Sequence, residues 1–203
     1  MIKVNVYIDG FNFYYGLKNK GWKKYYWLDI VSFFECFMNE GQVLNEVFYC
    51  TAIPINNQGK KDRQDLFFSA NLLNPKFKLV LGKYVNKKIN YKGKILKTFE
   101  EKQTDVNIAV EMIRNVIQGN CDTSILVSAD SDLVPPIKLI KQLYQKHKIY
   151  THFPPDRHSV DLKNNSDSII KLGHFEKRFK QSLLPNIVTL KNGHKIKKPR
   201  SWK

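Results

Sequence analysis

The chain has 203 residues, 42% hydrophobic and 26% charged, which suits one domain with a tail rather than two full domains and supplies apolar material for a single substantial core. Lys and Arg total 34 against 18 Asp and Glu, a net charge of +16, and such an excess favours association with phosphate backbones. Cys36, Cys50 and Cys121 form no C-x-x-C pair, the five histidines show no paired ligand spacing, and no apolar run reaches spanning length, which argues against a thiolate zinc site, a disulfide framework and a membrane protein.

In chain order, Ile2–Ile8 is rich in Val, Ile and Tyr and reads as a strand. It is entered at once, without the layout of a signal peptide, so a cytoplasmic protein is expected, with Cys36 and Cys50 as buried reduced thiols. Asn12–Asn19 reads as a short helix and Leu28–Asn39 as a longer one. Val43–Ile53 reads as a strand stopped by Pro54, Lys60–Leu73 as a helix stopped before Pro75, and Phe77–Val85 as a strand. Lys87–Lys97 alternates apolar and basic residues around Lys92-Gly93, which predicts a hairpin. Thr104–Gln118 is the clearest helix, with Val106, Ala109, Val110, Ile113, Val116 and Ile117 recurring at spacings of three and four. Thr123–Ser128 reads as a strand buried on both faces and Ser131–Lys146 as a second strong helix. Ile149–Phe153 and Ser168–Leu172 are short strand candidates. Strands alternating with helices imply an α/β fold with a mainly parallel sheet and helices on both faces.

Ligands of such sheets sit beyond the carboxyl ends of the strands. Asp9 ends the first strand. Asp130 and Asp132 follow Thr123–Ser128, and Asp105 opens the strongest helix beside Thr104, a good N-cap type. Three distant segments thus bring carboxylates to one rim. Phosphodiester hydrolysis needs an attacking hydroxide and neutralisation of phosphate charge; Mg²⁺ or Mn²⁺ supplies both and relieves the repulsion among clustered acids. Each acid also suits a simpler role: Asp9 before Gly10 a turn, Asp105 the positive end of a helix, Asp130 and Asp132 a helix cap. Asn12, Ser128, Ser131 and Lys102 are polar neighbours suited to binding substrate. Glu111 suits a solvent-facing helix residue or a salt-bridge partner, and Asp167 a structural role.

Three segments in order resemble the NYN family, the LabA-like branch of the PIN-like nuclease fold. They are Val6-Tyr7-Ile8-Asp9-Gly10-Phe11-Asn12, Glu101-Lys102-Gln103-Thr104-Asp105-Val106-Asn107-Ile108-Ala109, and Leu126-Val127-Ser128-Ala129-Asp130-Ser131-Asp132-Leu133-Val134-Pro135. A weaker match runs from Leu162 through Asp167-Ser168-Ile169. The resemblance implies a PIN-like sheet with a divalent-metal site and RNA, in preference to DNA, as substrate. The family's acidic positions, catalytic and metal-holding, fall at Asp9, Asp105, Asp130 and Asp132, with Asn12 as the polar companion. Ser128-Ala129-Asp130 departs from the commoner Ser-Gly-Asp.

The domain is expected over residues 1–180. After Glu176 come nine basic residues and no acid, so residues 181–203 are expected to form a mobile basic arm that adds affinity for nucleic acid. The competing reading is a non-catalytic RNA-binding module on the same fold. A HAD-type phosphatase expects an acid where Phe11 stands, and a Toprim domain a glutamate where Asp9 stands.

Overall fold

Alternation along the first strand determines the architecture. Val4, Val6 and Ile8 enter one apolar cluster, while Tyr7 enters another on the opposite face, as the two-residue period of a strand requires. The computed structural model describes residues 1–55, 57–91 and 94–202, with the backbone alone for 86–91 and 94–101. Its elements are β1 (Ile2–Asp9), α1 (Gly10–Asn19), α2 (Ile30–Glu35), β2 (Gln42–Thr51), α3 (Gln58–Asn71), β3 (Phe77–Leu81), β4 (Lys83–Tyr91), β5 (Lys94–Lys102), α4 (Thr104–Ile117), β6 (Thr123–Val127), α5 (Val134–Leu143), β7 (Lys148–Phe153), α6 (Val160–Asn165), β8 (Ser168–Lys171), α7 (Glu176–Gln181), β9 (Ile187–Thr189) and β10 (Lys195–Lys197).

Six strands form one sheet in the order β3-β2-β1-β6-β7-β8, and every neighbouring pair is parallel. One face is covered by α1, α2, α3 and α7, through Phe13, Phe33, Phe34, Phe67 and Phe179. The other is covered by α4, α5 and α6, through Ile108, Met112, Ile137 and Leu162. Each such buried side chain is worth roughly 1.5–3 kcal/mol. The α/β class, the parallel sheet and the helices on both faces therefore hold. Among the described residues no helix is long and apolar enough to cross a membrane.

Several local expectations change. The strand expected over Phe77–Val85 breaks at Gly82, where β3 ends and β4 begins. A Cβ at Gly82 would lie 2.7 Å from the Lys102 carbonyl oxygen, so glycine allows the base of the hairpin to close. The hairpin pairs from Lys83 with Lys102 out to Tyr91 with Lys94; its expected turn at Lys92-Gly93 lies outside the described residues. The sheet takes the Ile108, Met112 and Val116 stripe of α4, leaving Val106, Val110 and Ile117 exposed. Cys36 is exposed at the end of α2, whereas Cys50 and Cys121 are buried.

The mobile arm expected over 181–203 is instead folded as far as it is described. Strands β9 and β10 pair antiparallel and send Val188 and Ile196 into the core, 7% and 5% exposed. Asp29 N donates to Ser182 O and Leu184 N to Trp27 O, and Trp27 Nε1 donates to Pro185 O at 2.8 Å. The misreading has a simple cause. Each of these strands has three residues and one inward side chain, too little alternation to stand out among lysines.

Candidate active site at the sheet switch point

From β1 the chain steps outward to β2 and β3, then returns to the other side of β1 as β6. The crevice beyond the carboxyl ends of β1 and β6 is the topological switch point, where open α/β sheets bind ligands. Asp9 closes β1 at this rim. Its Oδ1 accepts the Asn12 backbone N–H at 2.9 Å, capping α1. Its Oδ2 accepts from the Asn12 side-chain amide and, at 2.9 Å, from the Ser128 hydroxyl. Gly10 makes this entry possible: a Cβ there would meet Tyr49 Cε1 at 2.7 Å and Thr51 Cβ at 2.8 Å.

Ser128 is fully buried. Besides donating to Asp9, it accepts the Asp130 N–H at 3.0 Å, so one hydroxyl ties the ends of β1 and β6 together. Asp130 in turn caps the short 3-10 turn Ser131–Leu133, its Oδ1 accepting the Asp132 N–H at 3.0 Å. The cap role and the rim position thus coincide for Asp9 and Asp130. Asp132 and Ser131 are exposed beside them. Asn12 and Ser128, expected to bind substrate, are both engaged in holding Asp9.

Asp105 arrives from the other side on α4. The helix cap is Gln103, not Thr104, and Gln103 holds a left-handed backbone at φ 79°. That conformation is uncommon away from glycine. Lys102, at the foot of the hairpin, is exposed.

The acids feel one another. Burial raises the Asp105 carboxyl to about 6, with further upward pushes from Asp9, Asp130 and Asp132. Burial also raises Asp9; the bonds from Asn12 and Ser128 oppose the shift, and Asp130 adds to it. Burial, with the Asp9 charge, raises the Tyr49 hydroxyl as well. Glu111, whose side chain is 14% exposed, is ion-paired with Arg114. Its charge, after burial, is the next cause raising the Cys50 thiol. Glu111 is therefore the expected salt-bridge partner, but not solvent-facing. Asp167 has the expected structural role, accepting Ile149 N–H at 2.8 Å and pairing with Lys141.

Among the described residues no three His, Cys, Asp or Glu side chains are grouped tightly enough to hold an ion by themselves. The donor set is an open one of carboxylate oxygens. Such a set suits Mg²⁺ or Mn²⁺, which prefer oxygen and keep several waters, with one or two carboxylates sufficing.

The NYN domain model matches residues 3–173, a span containing all four acids. The chain belongs to the NYN domain family. Among curated proteins, this NYN chain is 27% identical over 179 residues to the 6-hydroxy-3-succinoylpyridine 3-monooxygenase HspA of Pseudomonas putida, covering 69% of this chain and 56% of that protein. It therefore spans little more than half of that relative's length. Among solved structures, a Vibrio parahaemolyticus protein of unknown function matches with a TM-score of 0.57 at 22% identity, covering 83% of this chain and 91% of that one. That likeness concerns the fold alone. The NYN match accords with a PIN-like nuclease fold.

Proposed function

We propose that this NYN protein is a divalent-metal-dependent ribonuclease that hydrolyses phosphodiester bonds at the β1–β6 switch point. The observation that carries the reading is the placement of Asp9 and Asp130 at the carboxyl ends of β1 and β6, tied together by the Ser128 hydroxyl, with Asp105 near enough for its carboxyl to be raised by both their charges. A rim of mutually repelling, partly buried acids is a cost to a protein that only binds phosphate, and it is relieved by a cation.

One or two of Asp9, Asp105 and Asp130 would hold Mg²⁺ or Mn²⁺ directly and the rest through the ion's waters, with Asp132 at the margin. When bound, the ion supplies a hydroxide at neutral pH and neutralises charge developing on the phosphate. Asn12 and Ser128 keep the Asp9 carboxylate oriented. Below about pH 6 Asp105 would give up the proton on its carboxyl oxygen when a cation entered. The net charge of +16 concentrates polyanions near the site, and family membership favours RNA over DNA. A cytoplasmic location accords with this substrate.

The test is cleavage of labelled single-stranded RNA, structured RNA and DNA, with Mn²⁺ and with EDTA. Asp9→Asn and Asp130→Asn should each abolish cleavage, a loss of several kcal/mol of transition-state stabilisation, while RNA binding persists. Full activity in folded Asp9→Asn would refute the assignment. RNA binding without metal-dependent cleavage by any preparation would favour a binding module. A second reading draws on the name of the Pseudomonas putida relative and on an aromatic-lined cavity that includes Gly10: oxygenation of a pyridine ring by O2, one oxygen atom entering the ring and the other leaving as water with two electrons from an added nicotinamide or flavin reductant. Oxygen consumption dependent on 6-hydroxy-3-succinoylpyridine would support it.

A further inference from the structure

Beside the acids, the exposed face of α1 carries Phe11, Tyr14, Tyr15 and Lys18, at the spacings that put side chains on one helical face. Their rings belong to a continuous series. Tyr84 of β4 stands 5.9 Å from Phe11, Phe11 6.3 Å from Tyr15, Tyr15 5.3 Å from Tyr14, and Tyr14 5.0 Å from Tyr26. Trp202 continues it at 5.7 Å from Tyr26. Tyr26 and Trp202 pack against the edge of the core, whereas Phe11, Tyr14, Tyr15 and Tyr84 lie outside it. Tyr15 is 38% exposed, and Phe11, Tyr14, Tyr26, Tyr84 and Trp202 are half-buried.

Together they line a cavity of about 430 Å³ whose wall includes Gly10, the residue after Asp9. Lys18, Lys23, Lys60 and Arg63 also line it, and among the described residues no acidic side chain does. On its wall, Gln64 donates to Ala52 O, while its Oε1 is buried without a hydrogen-bond partner among the described residues. Such an acceptor calls for an N–H from an occupant.

We propose that this aromatic track binds unpaired bases of a single-stranded nucleic acid and leads the strand to the acids. The proposal rests on the nuclease reading only for what happens at the end of the track. Flat π-faces match stacked bases, the four cations match the phosphates between them, and Gln64 Oε1 matches the amino or imino N–H of a base. A duplex keeps its bases stacked on one another and offers no face to the rings. Single-stranded RNA, or an unpaired loop, is therefore the substrate form selected.

The experiment is equilibrium binding, by fluorescence anisotropy in EDTA so that nothing is cut. The full chain is titrated against a short labelled oligouridylate and against an RNA duplex of equal length. The single strand should bind more tightly than the duplex. Tyr15→Ala, which removes an exposed ring and spares the core, should weaken single-strand binding roughly five- to a hundredfold, and Trp202→Ala likewise. Tyr15→Phe should retain it. The salt slope should stay unchanged in Tyr15→Ala and flatten by about 0.7 in Lys18→Ala, one phosphate's worth. Undiminished binding by Tyr15→Ala, or a duplex bound as tightly as the single strand, would overturn the track. Saturable binding of 6-hydroxy-3-succinoylpyridine without single-strand binding would also overturn it. Cleavage measured separately keeps the two readings apart. Track-dependent binding without metal-dependent cutting removes the nuclease and leaves the track. Cutting with unaltered binding in Tyr15→Ala removes the track and leaves the nuclease.

Discussion

At the scale of single residues, Asp105 links the proposed site to folding stability. Its carboxyl, raised from 3.8 to about 6 by burial and neighbouring acids, keeps a proton in the folded protein that the unfolded chain has already released. The folded state therefore binds more protons across that interval, and stability falls as pH rises through it. This contribution is fully present below the ordinary carboxyl range and is gone above about pH 6. Asp105→Asn lacks the titrating group. In EDTA, the Tm of wild type relative to Asp105→Asn should decline between about pH 4 and pH 6.5 and then level off. Mn²⁺ should raise the wild-type Tm at neutral pH and leave it unchanged at the acid end. A Tm difference independent of pH would show that Asp105 does not titrate in this range. Ser128 makes a different point at the same scale. It was expected to face substrate, yet it is fully buried against Asp9, and the direction of its hydroxyl depends on how β1 and β6 lie side by side.

At the scale of elements, Gln103 sets how α4 presents Asp105. A non-glycine residue in the left-handed region costs about 1 kcal/mol. Gln103→Gly should therefore raise stability by about 0.5–1 kcal/mol, a Tm gain of about 2 °C, and Gln103→Val should lower it; thermal melts of the two variants decide. No rise with glycine would show that contacts of the glutamine side chain offset the strain. Elements such as β1, β2 and β6 were legible because their apolar runs are long and their ends are marked by Asp, Pro or Ser. The buried face of α4 was not. The helix carries two apolar stripes, and the one richer in β-branched residues, with Val106 and Val110, is left exposed. Pattern alone cannot say which stripe meets the sheet. The acids were legible because each follows a strand or opens a helix. The aromatic track was not read from the sequence: Phe11, Tyr14, Tyr15 and Lys18 share a helical face that went unremarked, and Tyr26, Tyr84 and Trp202 join it only through tertiary structure.

At the scale of the whole molecule, the segment after α7 is part of the fold and not a detachable arm. Deleting residues 191–203 removes Ile196 from the core and Trp202 from its contacts with Tyr26 and Trp27. Loss of buried side chains of this size costs about 3–5 kcal/mol, so the truncated protein should melt well below wild type and lose single-strand affinity at all salt concentrations. An unchanged Tm would show that the hairpin of β9 and β10 adds nothing to the core. The Ser128–Asp9 hydrogen bond spans 119 residues of chain, and β1 lies between β2 and β6 in a parallel sheet. Pairings so distant in sequence form late, because loop closure must precede their reward. The strands on either side of the crevice therefore meet only when the two halves of the chain do. On refolding from denaturant, helical circular dichroism should recover first and metal-dependent cutting should lag behind it. On the proposed reading, a nascent or half-folded copy, already rich in positive charge, would hold RNA without harming it, and cutting would begin only in a finished molecule.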